Sequence, residues 1–209
     1  MIMTKGLLKK LLPTVPDAWI AALNEQLPKC GIDTPYELAS FLAQVVHESD
    51  EFRHLEENLN YSAERLMVVW PHRFRTYEIA IQYDHAPEKL ANYVYDDATR
   101  DDKHKLGNIL FGDGWRFRGR GLIQLTGRAA YTDCGNAIGE DLVANPDKVK
   151  EPFTGVRVAC WFWKTRNLDA VDDDADVRVD TRKINGGDHG VVRRQALLEK
   201  YLDLIAALL

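Results

Sequence analysis

The feature that most constrains the fold is an apolar helical pattern that ends in a run of acidic residues. Leu38, Phe41, Leu42 and Val45 recur at helical spacing, which predicts an amphipathic helix with one buried face. Continuing at about 100° per residue places Glu48 beside that face. A carboxyl held against apolar neighbours favours its neutral form, which suits a general acid. Spacing alone also allows Glu48 simply to flank a core helix.

The start of this helix carries a specific local signal. Thr34 stands at the N-cap, Pro35 at the first helical position and Glu37 three residues after the cap. This arrangement is a capping box with a first-turn proline, and it predicts where the helix begins.

A second carboxylate is expected just beyond the helix. Glu56 and Glu57 both follow the turn, and either is a candidate partner for Glu48. The segment 58–61 is too short and polar for a helix, so the two acids are predicted to lie outside regular structure. Ser62 is then expected to cap a short helix.

The remaining pattern predicts a mainly α fold, with at most a small hairpin or extended lobe. Further helices are predicted at 16–26, 76–82, 87–95, 126–134, 152–163 and 191–205. We expect Thr126 to cap its helix, with Gly135 stopping it. The segment 122–125 is expected to be a short buried strand or extended segment, and 96–114 an exposed loop.

Length and charge narrow the class of protein. The 209 residues suit one domain, which we assign to 1–209 with no separate wall-binding domain. A net charge of −5 argues against broad electrostatic binding of nucleic acid. Arg116, Arg118 and Arg120 still form a local basic patch that belongs to a site.

The three cysteines are interpreted as reduced thiols in small apolar positions. Cys30, Cys134 and Cys160 lie far apart without metal-ligand spacing, and their odd number leaves one over in any disulfide scheme. None has a capping or basic context that clearly lowers its pKa, so a cysteine nucleophile is not supported.

The two ends of the chain do not read as membrane segments. Lysines interrupt the apolar residues of 1–12 before an uninterrupted signal-peptide core forms, so no signal peptide is evident. The apolar run 202–209 is too short to span a bilayer and is expected to be the docking end of a helix. No stable membrane insertion is expected.

The sequence contains neither the zinc-protease motif nor the phosphate-loop motif that would indicate a metal or a nucleotide cofactor. A zinc protease reading of His47-Glu48 requires a second histidine at position 51, which is Glu51. The glycines of 112–121 do not lead into Gly-Lys-Ser/Thr, so a phosphate loop is absent. We therefore expect neither a metal nor an organic cofactor.

Carboxylate chemistry on an uncharged polymer remains. Glycoside hydrolysis needs one acid to protonate the leaving oxygen and a second carboxylate that attacks the sugar or activates water. Tyr61, Trp70, Trp115 and Phe117 are candidates for stacking on sugar rings, whereas the tryptophans of 161–163 fit a core helix better. The residues of 112–121 alternate small, aromatic and basic types and suggest the wall of a sugar or nucleic-acid site.

Four motifs together resemble glycoside hydrolase family 19, and within it the bacterial and phage branch of lysozyme-like endolysins. They occur in the family's order at His47–Ser49, Leu55–Ser62, Gly112–Gly127 and Ile184–Gly187. The resemblance extends over roughly 35–205. It implies an all-α, lysozyme-like fold.

The resemblance also implies roles for individual residues. It assigns Glu48 as the general acid, Glu57 as the general base and Thr126 as the residue that holds the attacking water. It also implies that Gln124 and Asn185 bind sugar and that Arg194 lies near the acid. Tyr61 and Trp115 join these as substrate-binding aromatics. Ala130 departs from the family, which commonly has Asn there, so one sugar contact is expected to be missing.

The expected protein is a monomeric hydrolase that inverts configuration as it cleaves β-1,4 bonds between N-acetylated aminosugars. Peptidoglycan is preferred to chitin as substrate. Such a lysin is expected to accumulate in the host bacterial cytoplasm and to reach the cell wall with the help of a membrane-permeabilising phage protein. A chitinase, a non-catalytic glycan-binding protein of the same fold, and a nucleic-acid-binding module remain the alternatives.

Overall fold

A computed structural model describes residues 3–166, 168, 182 and 190–208. Helix predominates in these residues, as expected for the all-α class. The α-helices with defined bounds are α1 (Lys5–Leu11), α2 (Asp17–Lys29), α3 (Pro35–Glu48), α4 (Ala63–Val69), α5 (Tyr77–Ala80), α6 (Pro87–Val94), α7 (Asp113–Arg116), α8 (Arg128–Ile138), α9 (Pro152–Thr165) and α10 (Val191–Leu208). Short 3₁₀ helices occupy Ile81–Tyr83, Asp97–Thr99, Asp102–His104 and Pro146–Lys150.

The chain forms two compact units. Unit 1 comprises Met1–Leu55, Gly121–Gln124 and Asp147–Leu209, and unit 2 comprises Glu56–Arg120 and Leu125–Pro146. The expectation of one catalytic domain over 1–209 stays a prediction.

Unit 1 is organised around α3. Its apolar stripe of Leu38, Phe41, Leu42 and Val45 is buried as predicted, but burial is not limited to one face, because every residue of Leu38–Val46 is buried. Helix α10 packs against α3, and α2 packs against α9. The Phe41 ring meets Trp163 of α9 edge to face at 5.4 Å, so this helix also faces the core as predicted.

The beginning of α3 also agrees with the sequence. The Thr34 hydroxyl accepts a hydrogen bond from the Glu37 N–H (3.2 Å), and the Glu37 carboxylate accepts one from the Thr34 N–H (3.0 Å). Both halves of the capping box are therefore present. This local device sets the register that carries Glu48 to the end of the helix.

Unit 2 has its own apolar cluster, which includes Leu66, Phe74 and Leu90. Around it, the Tyr83 ring stacks on Tyr93 at 4.9 Å and meets Phe74 edge to face at 5.4 Å. The short helix predicted after Ser62 is confirmed as α4, and the Ser62 hydroxyl accepts a hydrogen bond from the Arg65 N–H.

The segment 122–125 is neither the strand nor the extended segment expected from its apolar residues. The Leu125 N–H donates to the Arg120 carbonyl (2.8 Å) and the Arg120 N–H donates to the Leu125 carbonyl (3.2 Å), so the chain reverses between them. Gln124 lies within this turn at a φ of +53°. In the described part of the chain, extended pairing is limited to two isolated bridges, Glu56 with Arg120 and Arg120 with Leu125.

The predicted cap of α8 is wrong by one residue. Gly127 occupies the N-cap, without a side-chain capping bond, and Thr126 precedes it. A Cβ at Gly127 would overlap the backbone of Leu106, so only glycine fits. The end of this helix was also misplaced, because Gly135 lies inside it and Gly139 ends it in the left-handed conformation.

The segment 96–114 is only partly the exposed loop that its polarity suggested. The buried Asp97 carboxylate accepts hydrogen bonds from the N–H groups of Leu106 (2.7 Å) and Gly107 (2.8 Å). Buried Asp113 accepts from Arg128 at 2.8 Å. The two carboxylates accept hydrogen bonds from backbone N–H groups and from a guanidinium group. These acidic residues are therefore buried and structural, and are not part of an exposed loop.

The cysteines are free thiols, but their expected inertness is wrong at one position. A hydrogen bond from the buried Cys160 thiol lowers the pKa of Cys30 to about 7. The same contact, together with burial, raises the pKa of Cys160. The two residues lie 130 positions apart, so sequence context did not reveal the pair.

The ends of the chain are helical. Helix α1 buries Leu7, Leu8 and Leu11, and α10 buries Leu198, Tyr201 and Ile205. None of the described helices has the length and apolar character needed to cross a bilayer.

Candidate active site residues

Glu48 is the last residue of α3, where its carboxyl is partly exposed at 21%. Arg194 of α10 is 1% exposed and donates through different nitrogens to the side chains of Glu48 and Gln44. Gln44 precedes Glu48 by one helical turn, so the two acceptors share a face of α3. The sequence predicted apolar neighbours for Glu48, but the structure also places the buried Arg194 cation beside it.

His47, the neighbour of Glu48, is packed against the start of α10. A Cβ at Gly190 would overlap the His47 imidazole, so glycine is required there, and its φ is +79°. Burial and the nearby Arg194 charge lower the pKa of His47. The imidazole is thus neutral at neutral pH and adds no second positive charge beside Glu48.

The chain leaves α3 through a strained left-handed turn. Asp50, Glu51 and Phe52 have φ values of +46°, +60° and +66°. Ser49 is fully buried and secures the turn, since its hydroxyl donates to the Val45 carbonyl (2.6 Å) and accepts from the Phe52 N–H (2.9 Å). Consecutive left-handed residues other than glycine are costly, and such strain clusters at functional sites.

Unit 2 holds Glu57 by both carboxylate oxygens. The Gly119 N–H donates to Oε1 (2.5 Å) and the Tyr95 hydroxyl donates to Oε2 (2.6 Å). In return, the Glu57 N–H donates to the Gly119 carbonyl (3.0 Å). Burial and the adjacent carboxylate raise the pKa of Tyr95, so its hydroxyl remains a donor. Glu57 is therefore oriented by uncharged donors.

Glu56 has a different environment from its neighbour. Arg118 donates to Glu56 Oε1 through Nε (2.7 Å) and through a second nitrogen, and Arg120 Nε lies 3.8 Å from Oε2. The Arg118 and Arg120 side chains are only 12% and 3% exposed. Glu56 thus serves as the counter-charge for two largely buried guanidinium groups.

The aromatic candidates fall into two groups. Tyr61 and Trp115 are half-buried, and so is Trp70, whose ring meets Tyr61 edge to face at 5.4 Å. The guanidinium of Arg118 covers one face of the Trp115 indole at 3.7 Å. Phe117 is fully buried, so the expectation that it offers a face to sugar is wrong. It packs against Tyr131 instead.

The remaining predicted residues are distributed as follows. Thr126 is half-buried in unit 2, between Leu125 and the glycine that precedes α8. Gln124 is half-buried in unit 1, and its amide nitrogen donates to the Gly121 carbonyl (3.2 Å). Asn185 lies outside the described residues.

Sequence reasoning missed Tyr95 and Gln44 as supports of the two candidate carboxylates. Gln44 was detectable, because it is a polar residue one helical turn before Glu48 on the same side of the helix. Tyr95 gave no local signal, since it lies 38 residues from Glu57 and was read as the end of an ordinary helix.

Comparisons with known proteins point to one enzyme class. The family model described as chitinase class I, glycoside hydrolase family 19, matches residues 92–180. A glycosyl hydrolase family 19 domain-containing protein from Haemophilus influenzae is 33% identical over 195 residues, which are 93% of this chain and 92% of that protein. An acidic 27 kDa endochitinase from Solanum lycopersicum is 53% identical over 53 residues, only 25% of this chain and 22% of that protein.

Solved structures agree at the level of fold. The crystal structure of chitinase C from Streptomyces griseus is similar with a TM-score of 0.67 and 20% identity, over 98% of this chain and 77% of that one. A class IV chitinase from Zea mays has a TM-score of 0.59 and 16% identity, over 98% and 93% of the two chains. The protein is a glycoside hydrolase that acts on a glycan. The chain belongs to glycoside hydrolase family 19.

Proposed function

We propose that this protein hydrolyses β-1,4 bonds between N-acetylated aminosugars with inversion of configuration. In this mechanism Glu48 protonates the glycosidic oxygen, and Glu57 removes a proton from a water that Thr126 helps to hold. Gln124 and Asn185 bind sugar. The reaction needs two proton transfers and an attacking water. The carboxyl groups carry out the proton transfers and Thr126 helps to hold the water, so the mechanism uses no cofactor.

The contrast between Glu56 and Glu57 carries the assignment of the base. A general base must be oriented and free of a tight cationic partner that competes for its lone pairs. Glu57 meets this need because its two anchors, Tyr95 and the Gly119 N–H, are neutral donors. Glu56 does not, because Arg118 already engages it.

The surroundings of Glu48 fix its orientation and leave it accessible. Its partly exposed carboxyl lies at a helix end, where solvent and substrate have access. The contact with buried Arg194 restricts the carboxyl's orientation, and Gln44 fixes the arginine in turn. Arg194 is thus a positioning residue. Tyr61 and Trp115 supply half-exposed aromatic surface for sugar rings.

Peptidoglycan is the proposed polymer. Among the relatives compared by sequence above, the bacterial protein matches nearly the whole chain, whereas the endochitinase from Solanum lycopersicum matches about a quarter of it. Chitin is the second candidate, favoured by the name of that plant enzyme and by the chitinase fold. Both polymers present the same N-acetylated β-1,4 linkage.

The biological setting is also a proposal. We place the protein in the host bacterial cytoplasm as a monomeric endolysin that reaches the wall after a membrane-permeabilising phage protein acts. The motifs shared with the phage branch of the family support this setting.

Parallel digestion of purified peptidoglycan and of chitin hexasaccharide tests the function. Mass analysis should reveal muropeptides cut between sugars, with faster turnover of peptidoglycan, and Glu48→Gln should abolish both reactions while leaving the fold intact. Early proton NMR spectra should show the α-anomer first. Failure of the folded wild-type protein to cut either polymer, or near wild-type rates for Glu48→Gln, would refute the proposal.

A further inference from the structure

Unit 2 contains a cavity that shares Trp115 with the site residues above. It has a volume of about 600 Å³ and opens between the start of α6 and the segment around α7. Its lining includes Pro87, Glu88 and Asn92 from α6, and Phe111 and Trp115 from the other wall. Known pockets for small ligands have volumes of roughly 300–1,000 Å³, so the cavity is large enough for a sugar residue.

The two walls are held together by close backbone packing. A Cβ at Gly114 would overlap the carbonyl of buried Ala91, so glycine allows α7 to approach α6. The backbone N–H of Trp115 donates to Asn92 Oδ1 at 2.8 Å. These contacts fix the position of Trp115 relative to α6.

Phe111 is the unusual residue of this wall. Its side chain is completely exposed, at 103% of the reference area. Ile109 and Leu110 just before it are also exposed, at 76% and 59%. A contiguous run of exposed large apolar residues marks a binding surface more often than an isolated one does. Of the three, only Phe111 lines the cavity that Trp115 shares.

The chemistry of the lining suits an N-acetylated aminosugar. Aromatic rings pack against the apolar faces of sugars and against acetamido methyl groups. Asn92 uses its carbonyl oxygen for Trp115, which leaves its amide NH₂ to donate to an acetamido carbonyl. The exposed Glu88 carboxylate is an acceptor for sugar hydroxyls or for the acetamido N–H.

The cavity is also connected to the proposed base within unit 2. The Trp115 indole has Arg118 on one face at 3.7 Å, and Arg118 binds Glu56, the neighbour of Glu57. A sugar held against Trp115 would thus rest on a wall that the Glu56 ion pair keeps rigid.

We propose that this cavity is an accessory subsite that binds one N-acetylated aminosugar residue of the polymer, with Phe111 and Trp115 as its stacking surfaces. The inference rests on the proposed function, because the ligand is part of the same polymer. Phe111 is its specificity-determining residue and has no role in the proton transfers.

Binding of chitin hexasaccharide to the full-length Glu48→Gln protein tests the subsite without any turnover. Isothermal titration should show that adding Phe111→Ala raises Kd about tenfold, the loss expected when one aromatic stacking surface is removed. The matched control is Ile109→Ala, which removes a neighbouring exposed apolar side chain outside this cavity and should leave Kd within about twofold. Because Phe111 is fully exposed, both variants should keep the wild-type circular dichroism and Tm.

Two outcomes would overturn the subsite. An unchanged Kd in Phe111→Ala would remove Phe111 from the binding surface, and an equal loss in Ile109→Ala would indicate unspecific apolar adsorption. Hydrolysis of the same hexasaccharide by the protein with Glu48 intact reports separately on the proposed function. If the protein hydrolyses the hexasaccharide and Phe111→Ala leaves Kd unchanged, the subsite is refuted and the proposed function is not.

Discussion

The hydrogen bond from Tyr95 to Glu57 provides the sharpest test of the proposed base. Tyr95→Phe removes one hydroxyl and keeps the aromatic ring in place. The Tyr95 hydroxyl donates to Glu57 Oε2 at 2.6 Å, while the Gly119 N–H holds the other oxygen. The substitution should therefore release one of the two anchors that orient the carboxylate.

The size of the effect follows from the kind of bond that is lost. A hydrogen bond to a charged group contributes about 1.5–3 kcal/mol, and each 1.4 kcal/mol corresponds to a factor of ten in rate. Full expression of this energy in the transition state would lower kcat by about tenfold to about 150-fold. Because the Gly119 N–H remains, we expect the lower end, about tenfold, with KM within about twofold.

Steady-state hydrolysis of a soluble aminosugar oligomer measures both constants. Tyr93→Phe is the matched control, since Tyr93 lies two residues before Tyr95, in α6, and its ring stacks on Tyr83, a contact that phenylalanine preserves. Thermal unfolding of both variants identifies losses that come from the fold. A folded Tyr95→Phe protein with wild-type kcat, or one that changes only KM, would contradict the role of Tyr95 in positioning Glu57.

Three further predictions concern other side chains. Glu57→Gln should lower kcat at least about a hundredfold, because it removes the proposed base. Glu56→Gln should mainly lower Tm, because it leaves buried guanidinium groups without their counter-charge. Equal rate losses with equal Tm values in the two variants would reject these separate roles of Glu57 and Glu56. Thr126→Ala should lower kcat with little change in the free energy of unfolding, since Gly127 is the N-cap of α8; a loss of about 1 kcal/mol in stability at unchanged rate would instead indicate a capping role. The pKa of about 7 at Cys30 predicts that iodoacetamide labelling accelerates through neutral pH, because the thiolate is the nucleophile, and that Cys160→Ala moves this rise to higher pH. Labelling of the wild-type protein that rises only near the ordinary thiol pKa would disprove the thiol pair.

Local signals in the sequence were reliable where neighbouring residues determine the structure. The capping box at Thr34 and the stripe through Phe41 and Val45 predicted both the start and the buried face of α3. Ser62 likewise predicted α4. These features depend on interactions within one helical turn, so a single segment contains all the information that they need.

The same reasoning was wrong where a distant backbone decides the outcome. Thr126 has the chemistry of an N-cap, yet the chain places Gly127 there because Leu106 leaves no room for a Cβ. The apolar run 122–125 predicts a strand or extended segment, although paired backbone hydrogen bonds between Arg120 and Leu125 close it into a turn. Local propensity yields to tertiary packing at both positions.

The sequence by itself determined the helical class, the family and the two acidic segments that contain Glu48 and Glu57. The family resemblance also placed Arg194 near Glu48. Only the tertiary structure revealed the partners that distinguish Glu57 from Glu56, because Tyr95 lies 38 residues from Glu57 and Arg118 lies 62 residues from Glu56. Charge pairs and hydrogen bonds act over a few ångströms in space, whatever the distance along the chain, so helical periodicity contains no record of them.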